Sequence, residues 1–253
     1  KPTILQQFRS NNRDTKIIGF LATPTSHTRT RPYARPVPTA LVLSETNLAH
    51  ELGFVEDWLL ENNFTIERIY RDDLVAGVPF PPADLLINMG SLSSVASGYT
   101  QEAALLEIEL VKDWTAQGNN YIGLCFGAQV LAVALGGHVT RQAAVHKGVE
   151  EIDFPGSDQR APWVRWHEDF ITDAPGAIID SEVSDAILIF HNGNAWGVQP
   201  HVELTPETLE RMAIGIEVPQ EDYAPLVTQL GANATSARAS TLALLDHIRL
   251  NQA

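Results

Sequence analysis

The segment YIGLCFGAQVLAVALGG, residues 121–137, constrains the fold more than any other part of the chain. A strand-type apolar run up to Leu124 must turn into a helix at once, because the residues after Cys125 read as a helix closed by Gly136 and Gly137. Gly123 and Gly127 flank Cys125 at minus two and plus two. A sharp strand–turn–helix bend crowds those two positions, and glycine removes the side chains that would collide. The bend exposes the sulfur at the carboxyl end of the strand, near the first turn of a helix whose free N–H groups favour a thiolate. A cysteine that merely fills core space is common, but it requires neither glycine and no bend.

The surrounding pattern supplies the rest of an α/β architecture. TALVLSE from Thr39, FTIERIY, ADLLINMG and NNYIGLC read as four strands. Between them lie a helical stretch with Leu48, Leu52, Val55 and Leu59, and a longer helix from about Thr100 to Gln117 with Leu105, Ile108 and Val111 on one stripe. Alternating strands and helices imply a mostly parallel sheet covered on both faces, a three-layer sandwich. Beyond residue 148 the chain is strand-rich, with GVEEIDF, WVRWHEDF, AIIDSE, DAILIFHNG and AWGVQP in close succession, and antiparallel additions at a sheet edge are expected there. Helices near Pro206–Met212, around Asp222–Leu230 and over Ala234–Leu250 finish the chain.

Charge divides the chain in two. Residues 1–38 carry seven basic residues against Asp14 alone, together with five prolines, whereas the whole 253-residue chain has a net charge of −14. The stretch ending in TRTRPYARPVP reads as an extended arm, with room for a short strand at Ile17–Leu21. It is either an extension lying over an acidic body or a docking arm for a partner or neighbouring subunit. The expected division is thus 1–38, a basic proline-containing extension, and 39–253, one α/β domain. The acidic balance disfavours a phosphate-backbone binder. The single cysteine excludes an intrachain disulfide and any zinc site built from several cysteines. With no long apolar run and no leader pattern, a cytoplasmic location is expected.

GLCFGAQ resembles the G-x-C-x-G-x-Q signature of class I glutamine amidotransferase domains, and GLCFGAQVLAVALGGHV is especially similar to stand-alone members related to the glutaminase part of GMP synthase. A second patch, WGVQPHVELTPE at residues 196–207, is similar to the family's G-V-Q-F-H-P-E. The resemblance runs from about Thr39 to the last helix and implies a flavodoxin-like fold. It places the nucleophile on Cys125, the catalytic histidine on His201 and its orienting carboxylate on Glu203. The chemistry agrees with that assignment: a thiolate needs a base within hydrogen-bond reach, and the imidazole needs an orienting acceptor. The chain departs from the family in carrying Pro200 before the histidine and Val202 after it, which alters the local backbone constraint.

Around that centre the resemblance marks out a pocket. LLINMGSLSSV, residues 85–95, is similar to the strand and glycine turn that carry an oxyanion donor, with Gly90 and Ser91 at the two glycine positions. Either backbone N–H would work with that of Phe126, which follows the nucleophile. Ser91 must then hold a φ that a side chain tolerates. Gln129, one helical turn beyond Cys125, and His167, in VRWHEDF, are expected to border the substrate. Trp166 is either a pocket wall or plain core.

The implied reaction is attack of Cys125 on the side-chain amide of glutamine, loss of ammonia, and hydrolysis of a γ-glutamyl thioester. It requires no metal and no organic cofactor. No P-loop is present, so ammonia would pass to a separate ATP-dependent synthetase subunit or be released. Two readings stay open beside this one: a stand-alone hydrolase of γ-glutamyl amides or peptides, and a catalytically silent subunit that binds and regulates a partner.

Overall fold

The computed structural model describes residues 37–46 and 50–252; the basic arm, the strand expected at Ile17–Leu21 and Leu48 lie outside them. The described chain begins with strand β1 (Thr39–Ser44), helix α1 (Phe54–Glu61) and β2 (Thr65–Tyr70), followed by a short 3₁₀ turn at Arg71–Asp73. Strand β3 (Leu85–Asn88), helix α2 (Glu102–Ala116), β4 (Tyr121–Leu124) and α3 (Phe126–Ala134) come next. Two long strands, β5 (His138–Ile152) and β6 (Ala161–Asp173), precede β7 (Ile178–Val183), β8 (Ala186–Asn192) and β9 (Ala195–Val198). Helices α4 (Pro206–Gly215) and α5 (Gln220–Leu250) end it.

Seven strands form one sheet in the order β2-β1-β3-β4-β9-β8-β7. The first five are parallel, and β8 and β7 add antiparallel at the edge. The alternation along β1 explains why both faces are covered. Ala40 and Val42 join a core with Trp58 and Leu59 of α1 and Leu244 and Leu245 of α5, while Leu41 and Leu43 join Val111 and Trp114 of α2 and Val130 and Leu131 of α3. Residues that are apolar on both sides of the pleat leave a strand no solvent face, so helices must close over each side. This is the three-layer α/β sandwich expected.

Four elements differ from the sequence reading. Helix α1 starts only after Gly53, whose φ of 47° breaks the run toward Leu52. In α2 the inward stripe is Ala104, Glu107, Leu110, Val111 and Trp114, whereas Leu105 faces solvent. The strands β5 and β6 do not extend the main sheet; they pair with each other as a separate antiparallel ribbon. The two helices expected after Pro219 are one, α5, which passes through Pro225 and Gly231. Its buried stripe from Tyr223 and Leu226 through Leu230, Ala237, Thr241, Leu244 and Ile248 runs across both breakers, and that burial outweighs local propensity.

Candidate active site

Cys125 stands between β4 and α3 with φ 50° and ψ −104°, a backbone conformation that side chains seldom adopt. The geometry explains both glycines. A Cβ at Gly123 would lie 2.4 Å from the Gly127 carbonyl, and one at Gly127 would lie 2.1 Å from the backbone oxygen of Asn88. The bend is therefore pressed against both its own strand and β3. The Cys125 N–H donates to the Val198 carbonyl at 2.9 Å, which ties the elbow to the end of β9.

That strand delivers the second part of the site. Because β9 is the parallel neighbour of β4, the residues after Val198 emerge at the same sheet edge as Cys125. The N–H of His201 donates to the Val164 carbonyl at 2.8 Å, which bridges this loop to β6. The His201 Nδ1 and Glu203 Oε1 are 2.7 Å apart, with both side chains buried. Glu203 is fixed in turn from the backbone: its carbonyl accepts the Phe54 N–H at 2.9 Å. A Cβ at Gly53 would sit 2.0 Å from that same carbonyl oxygen, so only glycine fits there.

With Nδ1 engaged by Glu203, the other ring nitrogen of His201 is left for the sulfur. Burial opposes a charged imidazole, yet the charges of Cys125 and Glu203 and their hydrogen bonds outweigh it, and the His201 pKa stands well above its ordinary value. The arrangement thus favours the protonated imidazole. Gln199, fully buried, points Nε2 at the sulfur from 3.8 Å.

The other expected residues surround Cys125. Phe126 opens α3, where the first N–H groups have no intrahelical acceptor. Gly90 and Ser91 line a cavity with Cys125 and His201. Ser91 is absent from the described side-chain-bearing residues with positive φ, which are Asn63, Cys125 and Glu217, so a side chain fits at the second glycine position. Gln129 is buried; its amide donates to the Asp169 carbonyl at 3.0 Å. Burial, with Arg165, His201 and His146 nearby, lowers the His167 pKa to about 3, so its ring is neutral near pH 7. Neither ring nitrogen makes a well-formed hydrogen bond.

Two cavities meet at Cys125 and share Trp166 as a wall, so Trp166 belongs to the pocket. One, of about 210 Å³, holds the ionic groups: Gln129, Arg141, His167, Glu168 and Asp169 line it together with Leu92, Phe126, Val145 and Trp166. Arg141 donates to Asp169 at 2.8 Å, lies 3.6 Å from Glu168 and rests over the Tyr99 ring. Asp169 also accepts from Ser94 at 2.5 Å. The other cavity, of about 80 Å³, is lined by Leu92, Trp166, Met212 and Ile216 together with Gly90, Ser91, Cys125 and His201.

The sequence reading missed a buried polar network beneath the Gly90 turn. Arg71 donates to Glu107 at 2.9 Å, to Asn88 Oδ1 at 2.8 Å and to the carbonyls of Met89 and Gly90 at 2.7 and 3.1 Å. Asn88 donates to Glu107 at 2.8 Å and to the Tyr121 hydroxyl at 3.0 Å, and that hydroxyl donates to the Gly127 carbonyl at 2.8 Å. One charge-assisted chain therefore holds the β3 turn and the first turn of α3 together. A glutamate at the period of the inward face of α2 was the available signal. Arg141 and Gln199 were missed as well; Arg141 stands in no local pattern, whereas Gln199 lies within the matched stretch WGVQPHVELTPE.

Fold and site together define an α/β protein with a cysteine elbow at the carboxyl edge of a parallel sheet. Residues 92–215 match the model of the class-I glutamine amidotransferase family. A glutamine amidotransferase-like protein of Acanthamoeba polyphaga mimivirus is 23% identical over 200 residues, covering 78% of this chain and 91% of that protein. Among solved structures, a glutamine amidotransferase from Thermotoga maritima has a TM-score of 0.72 at 19% identity, covering 84% of this chain and 98% of its own. A glutamine amido transferase from Methylobacillus flagellatus has a TM-score of 0.62 at 18% identity, covering 83% of this chain and 94% of its own. At those identities the structural likeness shows the fold alone. No helix among the described residues is long and apolar enough to cross a membrane.

Proposed function

We propose that this chain hydrolyses the side-chain amide of glutamine through a thioester on Cys125, with Cys125, His201 and Glu203 as the catalytic residues. The observation that carries the reading is His201, buried between the elbow cysteine and Glu203, 2.7 Å from the carboxylate. The Cys125 sulfur attacks the amide carbon, forming an S–C bond, and the carbonyl oxygen takes the negative charge. The backbone N–H of Phe126 and that of Gly90 or Ser91 hold this oxygen. His201 passes its proton to the nitrogen as the C–N bond breaks, and ammonia leaves. Water, deprotonated by the now neutral His201, then attacks the thioester and releases glutamate and the thiol.

The ionic cavity suits the other end of the substrate. Arg141 offers a cation and Glu168 and Asp169 offer anions within one pocket, a match for an α-carboxylate and an α-ammonium. Gln129 and His167 border the same space. Ammonia goes to a separate synthetase subunit or is released, and a reducing cytoplasm suits the free thiol.

Mass spectrometry of protein quenched during turnover of glutamine tests this. The expected result is a glutamyl adduct on Cys125, with turnover in Cys125→Ala lower by about 10⁵-fold or more. Equal release of ammonia by Cys125→Ala overturns the reading.

A further inference from the structure

The smaller cavity at Cys125, which Arg141 does not line, bears on the leaving group. The group that protonates the departing nitrogen must lie against it, and His201 lines the smaller cavity. The acyl half of the substrate then points to the ionic cavity, and the scissile nitrogen points to the smaller one. The side chains around that nitrogen are Leu92, Trp166, Met212 and Ile216, all apolar or aromatic. Leu92 stands at the mouth, 68% exposed, and Met212 and Ile216 are half-buried, so each has apolar surface left to cover. Departing ammonia gains nothing from such a lining. An N-alkyl substituent would be buried against it, and each methylene so buried favours binding.

The lining also limits the class of amine. Apart from the reacting pair Cys125 and His201, no side chain along this cavity is ionisable, and His201 is already paired with Glu203. An amino acid as leaving group would bring a carboxylate into that apolar space with no cation to meet it, which is costly. A plain alkylamine brings none. Met212, unbranched and adaptable, suits a flexible chain better than a rigid one.

We propose that the site prefers N-alkyl γ-glutamyl amides, with the short uncharged alkyl group of the amine seated on Leu92, Trp166, Met212 and Ile216. This rests on the thioester reading above. The Cys125 sulfur bonds to the γ-carbonyl carbon and the C–N bond breaks. The alkylamine takes its proton from His201, and water returns glutamate and the free thiol, with no other reactant.

The test compares kcat/KM for glutamine, γ-glutamyl-methylamide, γ-glutamyl-butylamide and γ-glutamylglycine on the intact chain, with Cys125→Ala as the blank. We expect kcat/KM to rise along the alkyl series, butylamide exceeding glutamine by about tenfold or more, and γ-glutamylglycine to fall below butylamide. In Ile216→Asp the butylamide-to-glutamine ratio should drop toward one. Should that variant fail to fold, the alkyl series on the unaltered protein decides. Cys125-dependent turnover with glutamine ahead of every alkylamide, or with γ-glutamylglycine ahead of butylamide, overturns the inference and leaves the thioester reading standing. Absence of Cys125-dependent turnover on all four overturns both.

Discussion

The edge of the main sheet and the β5–β6 ribbon both reach the site, and they are built to different tolerances. At the sheet edge every residue of β4 and β9 is buried, and the elbow is fixed by close backbone approaches to β3 and by a hydrogen bond to Val198. The ribbon is exposed along much of β5, and its register shifts between Arg141 and His146, where it borders the ionic cavity. Cys125 and His201 thus sit on the closely packed element, and Arg141 and Glu168 on the ribbon. On the proposed reading, bond making is tied to the sheet, and substrate choice to the ribbon and to the helix α4 that follows β9.

Substitutions in the two regions should therefore fail differently. The largest effect is expected at the sheet edge. Glu203→Gln removes the charge that helps hold the His201 proton, so the imidazole should titrate at lower pH by NMR, and turnover should fall by about 10³–10⁴-fold. An unmoved His201 titration would break the comparison on its catalytic side. Next comes the support below that edge. Arg71→Gln leaves Glu107 buried without its cation and should cost about 3–5 kcal/mol in urea unfolding. Adding Glu107→Gln should recover part of that loss.

The ribbon should yield smaller effects. Folded His167 takes a proton only at about pH 3, whereas the unfolded chain does so near 6.5. Between those values the unfolded state binds more protons, so stability falls as the pH drops. His167→Gln lacks that contribution. Its loss of unfolding free energy between pH 7 and pH 4 should be smaller than that of the unaltered protein by about 3 kcal/mol. Smallest is Arg141→Gln, which should raise KM for glutamine about tenfold with kcat little changed. A fall in kcat instead would mean that the ribbon also positions the reacting atoms.

What could be read from the sequence follows the same division. The elbow was legible because a strand cannot bend into a helix at Cys125 without glycines at 123 and 127, and that need is written within five residues. His201 and Glu203 were legible because they lie two residues apart in a single loop. The parallel sheet was legible from strands that alternate with helices. The ribbon was not, since nothing local says that its strands leave the sheet. Arg71 was hidden for another reason. A 3₁₀ turn carries it under a glycine turn 19 residues on, and its partner Glu107 shares a helix face with apolar residues, where an apolar stripe at Leu105 and Ile108 is equally regular. The unbroken α5 was obscured by Pro225 and Gly231, which local propensity counts as stops and tertiary burial overrides.

The close fit of Gly53 against the carbonyl of Glu203 has a consequence for how the site comes into being. These residues are 150 positions apart, and Phe54 beside Gly53 supplies the N–H that anchors the acid's main chain. The start of α1 leaves the ribosome long before Glu203 exists, and it must wait, preformed or not, until β9 has threaded between β4 and β8. Closing so long a loop comes late in assembly. The contact that anchors Glu203 beside His201 is therefore acquired late in folding, and a chain that has not yet reached it holds the cysteine elbow alone.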